Sequence, residues 1–322
     1  MDGLRVFLLS KFCVQYGETV LTIEGRKSQE LFSYLLLNRE RPHPREALAV
    51  LLWSDVPVVQ SKGYLRKTLW QLQTALDTQY MPENENLLLV ESDWMQVNPK
   101  ASYWLDVTVF EQAFDLVQGI PGRELQLSNV QKLRCAVELY RGDLLEGSYH
   151  EWCLYERERF QQMYLIMLDK LMDYCEAHGE YEAGLSYGMQ ILRYDQARER
   201  THRHLMQLHS LTGNRTSALR QYERCAAILE KELGIQPAAA TVALYEQIRD
   251  DQPVIQASTP NMNQTVPGNT AVSLAETIEQ IKQLQIELSH TQNQIQQKIA
   301  TVEMLLHDQR PSITHLPRYS RH

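Results

Sequence analysis

Residues Val58–Leu76 read VVQSKGYLRKTLWQLQTAL. Leu65, Leu69, Leu72 and Leu76 return at helical spacing, so this stretch predicts an amphipathic helix with one apolar stripe. At about 100° per residue, the stripe leaves Gln60, Gly63, Tyr64, Lys67, Trp70, Gln71 and Thr74 on the opposite side, with Lys62 and Arg66 on the flanks. Any surface helix shows polar residues, so the meaning of this face depends on what surrounds it.

Upstream, Leu4–Leu9, Phe12–Tyr16 and Val20–Ile23 are short β-type runs, and Tyr16-Gly17-Glu18 supplies a turn between the last two. From Ser28 the period changes to a helical one through Leu31, Tyr34, Leu35 and Asn38, stopped by Pro42 and Pro44, and Arg45–Trp53 makes a second helix. Downstream, Leu87–Val90 and Met95–Val97 flank Glu91-Ser92-Asp93-Trp94, the pattern of a hairpin. A small sheet, three helices and a hairpin, in that order, resemble a winged helix of the response-regulator effector type, expected over residues 1–100. In that setting the third helix is the reader of double-stranded DNA. Its expected contacts are Gln60, Lys62, Tyr64, Arg66, Lys67, Gln71 and Thr74: Lys62 and Arg66 reach phosphates, while Lys67 matches a guanine edge and Gln71 an adenine edge.

Residues 101–250 are helical and repeat. Gly179 and Gly213 lie 34 apart, as do Leu171 and Leu205, Met172 and Met206, and Leu185 and Leu219. This is the tetratricopeptide period, in which each helical hairpin buries its apolar face only by stacking on the next, with a glycine at the turn between units. Gly234 reads as a left-handed helix stop, with Pro237 opening the next helix. Pro253, Pro260 and Pro267 lie among Gln, Asn, Ser and Thr and predict a flexible linker over 251–272. Leu274, Ile281, Leu288, Ile295 and Val302 then fall seven apart, with Leu284 and Leu305 in the companion position, predicting a coiled coil over 273–308 and a disordered tail over 309–322. The chain is thus expected to be mainly α.

Net charge is −8 over 322 residues, which by itself disfavours nucleic acid. The acidity is local: residues 1–100 carry 11 Lys and Arg against 12 Asp and Glu, residues 101–252 carry 16 against 23, and the remainder 5 against 5. The first segment can therefore present a basic face by position. No run of about eighteen apolar residues exists and the first thirty positions alternate, so neither a membrane span nor a signal peptide is expected and the chain reads as cytoplasmic. Cys13, Cys135, Cys153, Cys175 and Cys225 lack metal or disulfide spacing and are expected to be buried thiols. His202, His204 and His209 read as surface histidines rather than metal ligands. Neither a nucleophile motif nor a G-x-x-x-x-G-K-[ST] loop occurs, so no enzyme and no cofactor is implied.

Tyr140-Arg-Gly-Asp-Leu-Leu-Glu-Gly147, Glu151-Trp-Cys-Leu-Tyr-Glu-Arg-Glu-Arg159, His178-Gly-Glu-Tyr-Glu-Ala-Gly-Leu185, Gly213-Asn-Arg-Thr-Ser-Ala-Leu-Arg-Gln-Tyr-Glu-Arg224 and Glu232-Leu-Gly-Ile-Gln-Pro237 together resemble the bacterial transcriptional activator domain. With the winged helix in front, residues 4–250 resemble activators of the antibiotic regulatory protein (SARP) type. That resemblance implies a sequence-specific transcription regulator, acting as an activator. Its winged helix would bind promoter DNA, and its repeats would contact a second copy and RNA polymerase. Two departures keep an alternative open: Gln71, Gln73 and Thr74 stand where relatives often carry arginines, and Glu91 and Asp93 make the wing acidic. The alternative is an interaction adaptor whose winged helix no longer binds DNA and whose repeats and coil assemble a complex.

Overall fold

Alternating burial along the first residues makes strands β1 (Leu4–Phe7), β2 (Cys13–Tyr16) and β3 (Thr19–Leu21), in which Leu4, Val6, Val14 and Leu21 point into the core. The computed structural model describes residues 3–79 and 86–251. Helix α1 (Arg26–Leu37) follows, then the two-residue strand β4 (His43–Pro44), α2 (Arg45–Leu52) and α3 (Val58–Gln79). Pro44 sits at the N-cap of α2, where a missing N–H costs nothing. Strands β5 (Leu88–Val90) and β6 (Trp94–Val97) pair antiparallel as the expected hairpin, and β4 adds to the far side of β6. The winged helix read from the sequence is present.

The next strand, β7 (Tyr103–Leu105), pairs parallel with β1 and completes a sheet of order β3-β2-β1-β7. It runs directly into α4 (Asp106–Asp115), followed by α5 (Leu127–Leu139), α6 (Glu151–Ala177), α7 (Tyr181–Tyr194), α8 (Glu199–Leu211), α9 (Arg215–Leu233) and α10 (Ala239–Arg249). Residues 1–254 form one contact unit, and a hydrophobic core runs continuously from Leu4 to Leu208. The linker, coiled coil and tail expected over 251–322 lie, apart from Asp251, outside the described residues.

Polar bonds join the winged helix to the helical segment. The Asp106 carboxylate, 1% exposed, accepts the Leu8 and Leu9 backbone N–H groups at 2.8 Å each and that of Val107 at 2.7 Å. Burial pushes this carboxyl up to about 6 against the pull of those donors. The loop after α5 docks on the same turn: Leu145 N–H donates to Leu8 O and Glu146 N–H to Ser10 O. Leu145 is held there at φ 50, and Arg157 of α6 donates to the carbonyls of Leu144, Leu145 and Ser148. Glu30 of α1 meets Arg26, Lys27 and His150 at 2.9–3.0 Å. Burial works to raise the Glu30 carboxyl, but its bonds to Lys27 and Arg26 hold it below the usual carboxylate value. Thus the Tyr140–Gly147 motif is a docking loop.

Gly179 and Gly213 adopt φ +75 and +73, the left-handed region that favours glycine. They lie between α6 and α7 and between α8 and α9, so each glycine turns the chain within a hairpin rather than between hairpins. Leu171, Met172, Leu205 and Met206 are enclosed as the repeat requires, whereas Leu219 is half-buried and Ala218 takes the enclosed place. Leu219→Ala should therefore cost less than substitution of an enclosed leucine, at most about 2 kcal/mol, measured by urea unfolding. Gly234 caps α9 in the left-handed conformation (φ 67), and α10 opens at Ala239, two residues beyond Pro237.

The turn at Gly122–Glu124 packs on α6 so closely that a β-carbon on Gly122 would stand 2.5 Å from Lys170 O and 2.5 Å from Asp173 Cβ. Backbone cannot yield as a side-chain end can, so Gly122→Ala should destabilise by about 1–3 kcal/mol, with no compensation from trimming the Asp173 side chain.

Candidate nucleic-acid interface

The orientation of α3 follows from its leucines. Leu65, Leu69, Leu72 and Leu76 are each at most 4% exposed and pack against α1 and α2. Ser61, also buried, returns its hydroxyl to Val58 O at 2.9 Å, so it adds no unpaired polar group to that side. The opposite side is open. Gln60, Lys62, Tyr64, Arg66, Lys67, Gln71 and Thr74 are all exposed, as is Trp70 in their midst. Every residue of the expected contact set is thus exposed, with Lys62 and Arg66 on the flanks of the open side.

Neighbouring elements set the charge of this face. Lys62 is ion-paired with Glu46 in the first turn of α2, and this ammonium holds the Glu46 carboxyl below the usual carboxylate range. Arg45, beside it, donates its backbone N–H to Asp93 O at 2.9 Å and its guanidinium to Glu91 O at 3.1 Å, which ties α2 to the tip of the β5–β6 hairpin. A cleft of about 540 Å³ lies among α2, α3 and this tip, with Arg45, Lys62 and Arg66 facing Glu46 and Asp93. Tyr64 rests against Trp53 with ring centroids 6.1 Å apart, and Lys27 stands 5.8 Å from the Trp53 ring. Sequence reasoning missed Arg45 and Glu46. Their signal was the charged pair opening the helix after Pro44, but their nearness to Lys62 depends on the α2–α3 crossing.

Chemically, the face offers Arg66 and Lys67 as cationic donors, Gln60 and Gln71 as amide donor–acceptors, and Lys62 as a cation that must exchange Glu46 for any phosphate. The hairpin tip offers carbonyls and two carboxylates. The helix carries the attraction for an anionic partner, and the tip opposes it.

The histidine expectation is corrected. His202 is 1% exposed, with Nε2 on Gln196 O and Nδ1 on the Gln221 amide, both at 2.8 Å; burial holds its imidazole below the ordinary value. His204 is buried as well and meets Glu176 at 2.7 Å and Asp173 at 3.6 Å. Among the described residues no group of three or more His, Cys, Asp or Glu is placed to hold a metal ion. The cysteine expectation also needs amending: Cys153, Cys175 and Cys225 are buried, but Cys13 is half-buried and Cys135 exposed. Tyr222 stacks on Tyr245 with centroids 4.2 Å apart, and Tyr181 and Tyr187 pack on the main core, so these rings hold helices together.

Residues 105–249 match the family model of the bacterial transcriptional activator domain. The chain is 23% identical over 239 residues to the regulatory protein AfsR of Streptomyces coelicolor, a match that covers 74% of this chain and 23% of that protein. It therefore spans less than a quarter of the length of that relative. The fold is similar to that of EmbR of Mycobacterium tuberculosis, solved in complex with a low-affinity phosphopeptide. The TM-score is 0.59 at 20% identity, over 79% of this chain and 67% of the EmbR chain, a likeness of fold alone. Residues 105–249 are thus similar to the bacterial transcriptional activator domain, and they follow a winged helix in this chain.

Proposed function

We propose that the chain is a sequence-specific DNA-binding transcription regulator of the activator kind, working in the cytoplasm on double-stranded promoter DNA. The observation that carries this reading is the exposed face of α3, with its cations and amides gathered opposite a buried leucine stripe. In this reading residues 1–100 read DNA and 101–250 offer surfaces to RNA polymerase and to a second copy. Residues 251–272 serve as a linker, 273–308 as a self-associating coil and 309–322 as a tail. Lys67 and Gln71 read base edges, Lys62 and Arg66 hold phosphates, and Gln60, Tyr64 and Thr74 complete the contact surface. No helix among the described residues is long and apolar enough to cross a membrane.

The test is a gel-shift series on the gene's own upstream region at several salt concentrations. Lys67→Ala or Gln71→Ala should relax preference at one base position at a cost of about 1–3 kcal/mol, whereas Arg66→Ala should weaken all sequences alike and lower the salt slope by about one unit. Lys62→Ala should do less than Arg66→Ala, because Lys62 gives up Glu46 when it takes a phosphate. Unchanged promoter affinity in the combined Lys62, Arg66, Lys67 and Gln71 variant would remove α3 as the reader.

One observation favours a second reading, an adaptor. Trp70 is 65% exposed in the middle of the α3 face, and the β5–β6 tip carries the acidic Glu91 and Asp93. An exposed indole suits a protein partner. Absence of salt-dependent DNA binding, together with loss of a protein complex on Trp70→Ala, would establish that reading.

A further inference from the structure

Helices α7 and α9 both lean on α8, and a groove of about 500 Å³ lies between them with α8 as its floor. The floor is closed and satisfied. Leu205 is 1% exposed there, and the buried His202 ring is bonded to Gln196 O and to the Gln221 amide. The walls are apolar and within reach: Met189 of α7 is 57% exposed, and Leu192 of α7 and Ile228 of α9 are half-buried. A methionine side chain adapts to the shape of what covers it.

Arg193 of α7 and Arg224 of α9 also line the groove, both exposed and neither with an ion pair or hydrogen bond among the described residues. Nearby arginines are engaged: Arg198 pairs with Asp169, Arg203 donates to Thr241 and Arg215 to Ile248 O. The lining also holds an acid, Glu182, but it lies in the first turn of α7 and Arg193 in the last. At 1.5 Å per residue they stand roughly 16 Å apart along the axis. Burial holds the His209 imidazole below its ordinary value against the pull of Glu182, so the guanidiniums carry the positive charge of the groove at neutral pH.

An apolar wall beside two unengaged guanidiniums fits an occupant with an apolar body and an anionic head. A peptide laid here would press amide groups on Met189, Leu192 and Ile228, which offer them no partner, whereas a hydrocarbon chain needs none. The volume, about 500 Å³, falls within the about 300–1,000 Å³ of small-molecule sites. A carboxylate head can accept from both arginines through its two oxygens.

We propose that the α7–α9 groove binds a single-chain amphiphilic carboxylate, with its chain on Met189, Leu192 and Ile228 and its head on Arg193 and Arg224. This site shares no residue with α3. Its binding is read without DNA, so it stands or falls separately from the function assigned to that helix.

The experiment is calorimetry of the full chain with sodium decanoate below its micelle concentration, in the parent and in the Arg193→Gln, Arg224→Gln and Met189→Asp variants. All three positions are exposed, so the variants should melt with the parent. Decanoate should bind saturably at one site per chain, weakened about tenfold by either arginine substitution, the loss of roughly one charge-assisted hydrogen bond. Met189→Asp should weaken it further, because it sets a carboxylate in the path of the chain. Hexanoate, about four methylenes shorter, should bind about a hundredfold more weakly. The uncharged 1-decanol should bind more weakly than decanoate, and equally in the parent and the arginine variants. Equal decanoate affinity in the parent and all three variants would put the binding elsewhere on the chain and overturn the proposal. So would decyltrimethylammonium binding as tightly as decanoate, the mark of detergent-like adsorption. Saturable binding of decyl phosphate, or of the acidic peptide Ac-Glu-Leu-Leu-Glu-Leu-NH2, where decanoate gives none would overturn it as well.

Discussion

Asp106→Ala should lower the stability of the chain by about 3–5 kcal/mol, since it strands two buried backbone donors at about 1–3 kcal/mol each and removes a third bond. One carboxylate oxygen serves both Leu8 and Leu9, and the other serves Val107 at the start of α4. Asp106→Asn should cost less. Its carbonyl can keep Leu8 and Leu9, while its amide faces the Val107 N–H and loses that bond. The pair of substitutions also separates charge from geometry. The folded-state carboxyl is pushed up to about 6 from an ordinary 3.8. Between those values the native chain binds more protons than the unfolded one, so this group's contribution falls as pH rises through about 6. Wild type should therefore gain stability relative to Asp106→Asn as pH is lowered from about 7 to about 5, read from urea midpoints. A pH-independent difference would mean that the carboxyl does not titrate in that window.

Leu205→Ala should cost about 2–5 kcal/mol, because the side chain is 1% exposed and enclosed between α7 and α8. What it packs against is unusual. A β-carbon on Gly188 of α7 would lie 2.6 Å from Leu205 Cδ2 and 2.8 Å from Met172 Cε, so the leucine rests on a helix surface kept bare by glycine. Gly188→Ala alone should then destabilise by about 1–3 kcal/mol through overpacking. The two changes should not add. In the Leu205→Ala background the new methyl enters the space that the leucine left, so the double variant should be more stable than the sum of the single losses by at least about 0.5 kcal/mol. Strict additivity in a urea double-mutant cycle would show that the helices readjust independently at the two positions.

Helix α3 was legible because its signal is local: four leucines at helical spacing fix the buried side, and the exposed set follows by geometry. The hairpin and the small sheet were legible for the same reason, through alternation and turns. What escaped the sequence depends on partners far along the chain. Asp106 is 97 and 98 residues from the N–H groups it accepts. His202 and His204 look like surface residues in their own polar stretch, yet Gln221 and Glu176 lie 19 and 28 positions away and make their burial affordable. The 34-residue period found the enclosed Leu171 and Leu205 but missed at Leu219. A shift of one residue on a helix is about 100° of rotation, enough to bring Ala218 inward and turn Leu219 partly out. Lys62 was legible as a cation, and its engagement with Glu46 was not.

The parallel pairing of β7 with β1 has a consequence for anyone who isolates the winged helix. Cutting the chain at Lys100, the natural place by sequence, removes the strand that covers β1 and leaves its N–H and C=O groups along that side without partners. A bare, largely apolar strand of this kind is a template for another molecule, and recombinant fragments that end there should aggregate or exchange strands where longer ones stay monodisperse.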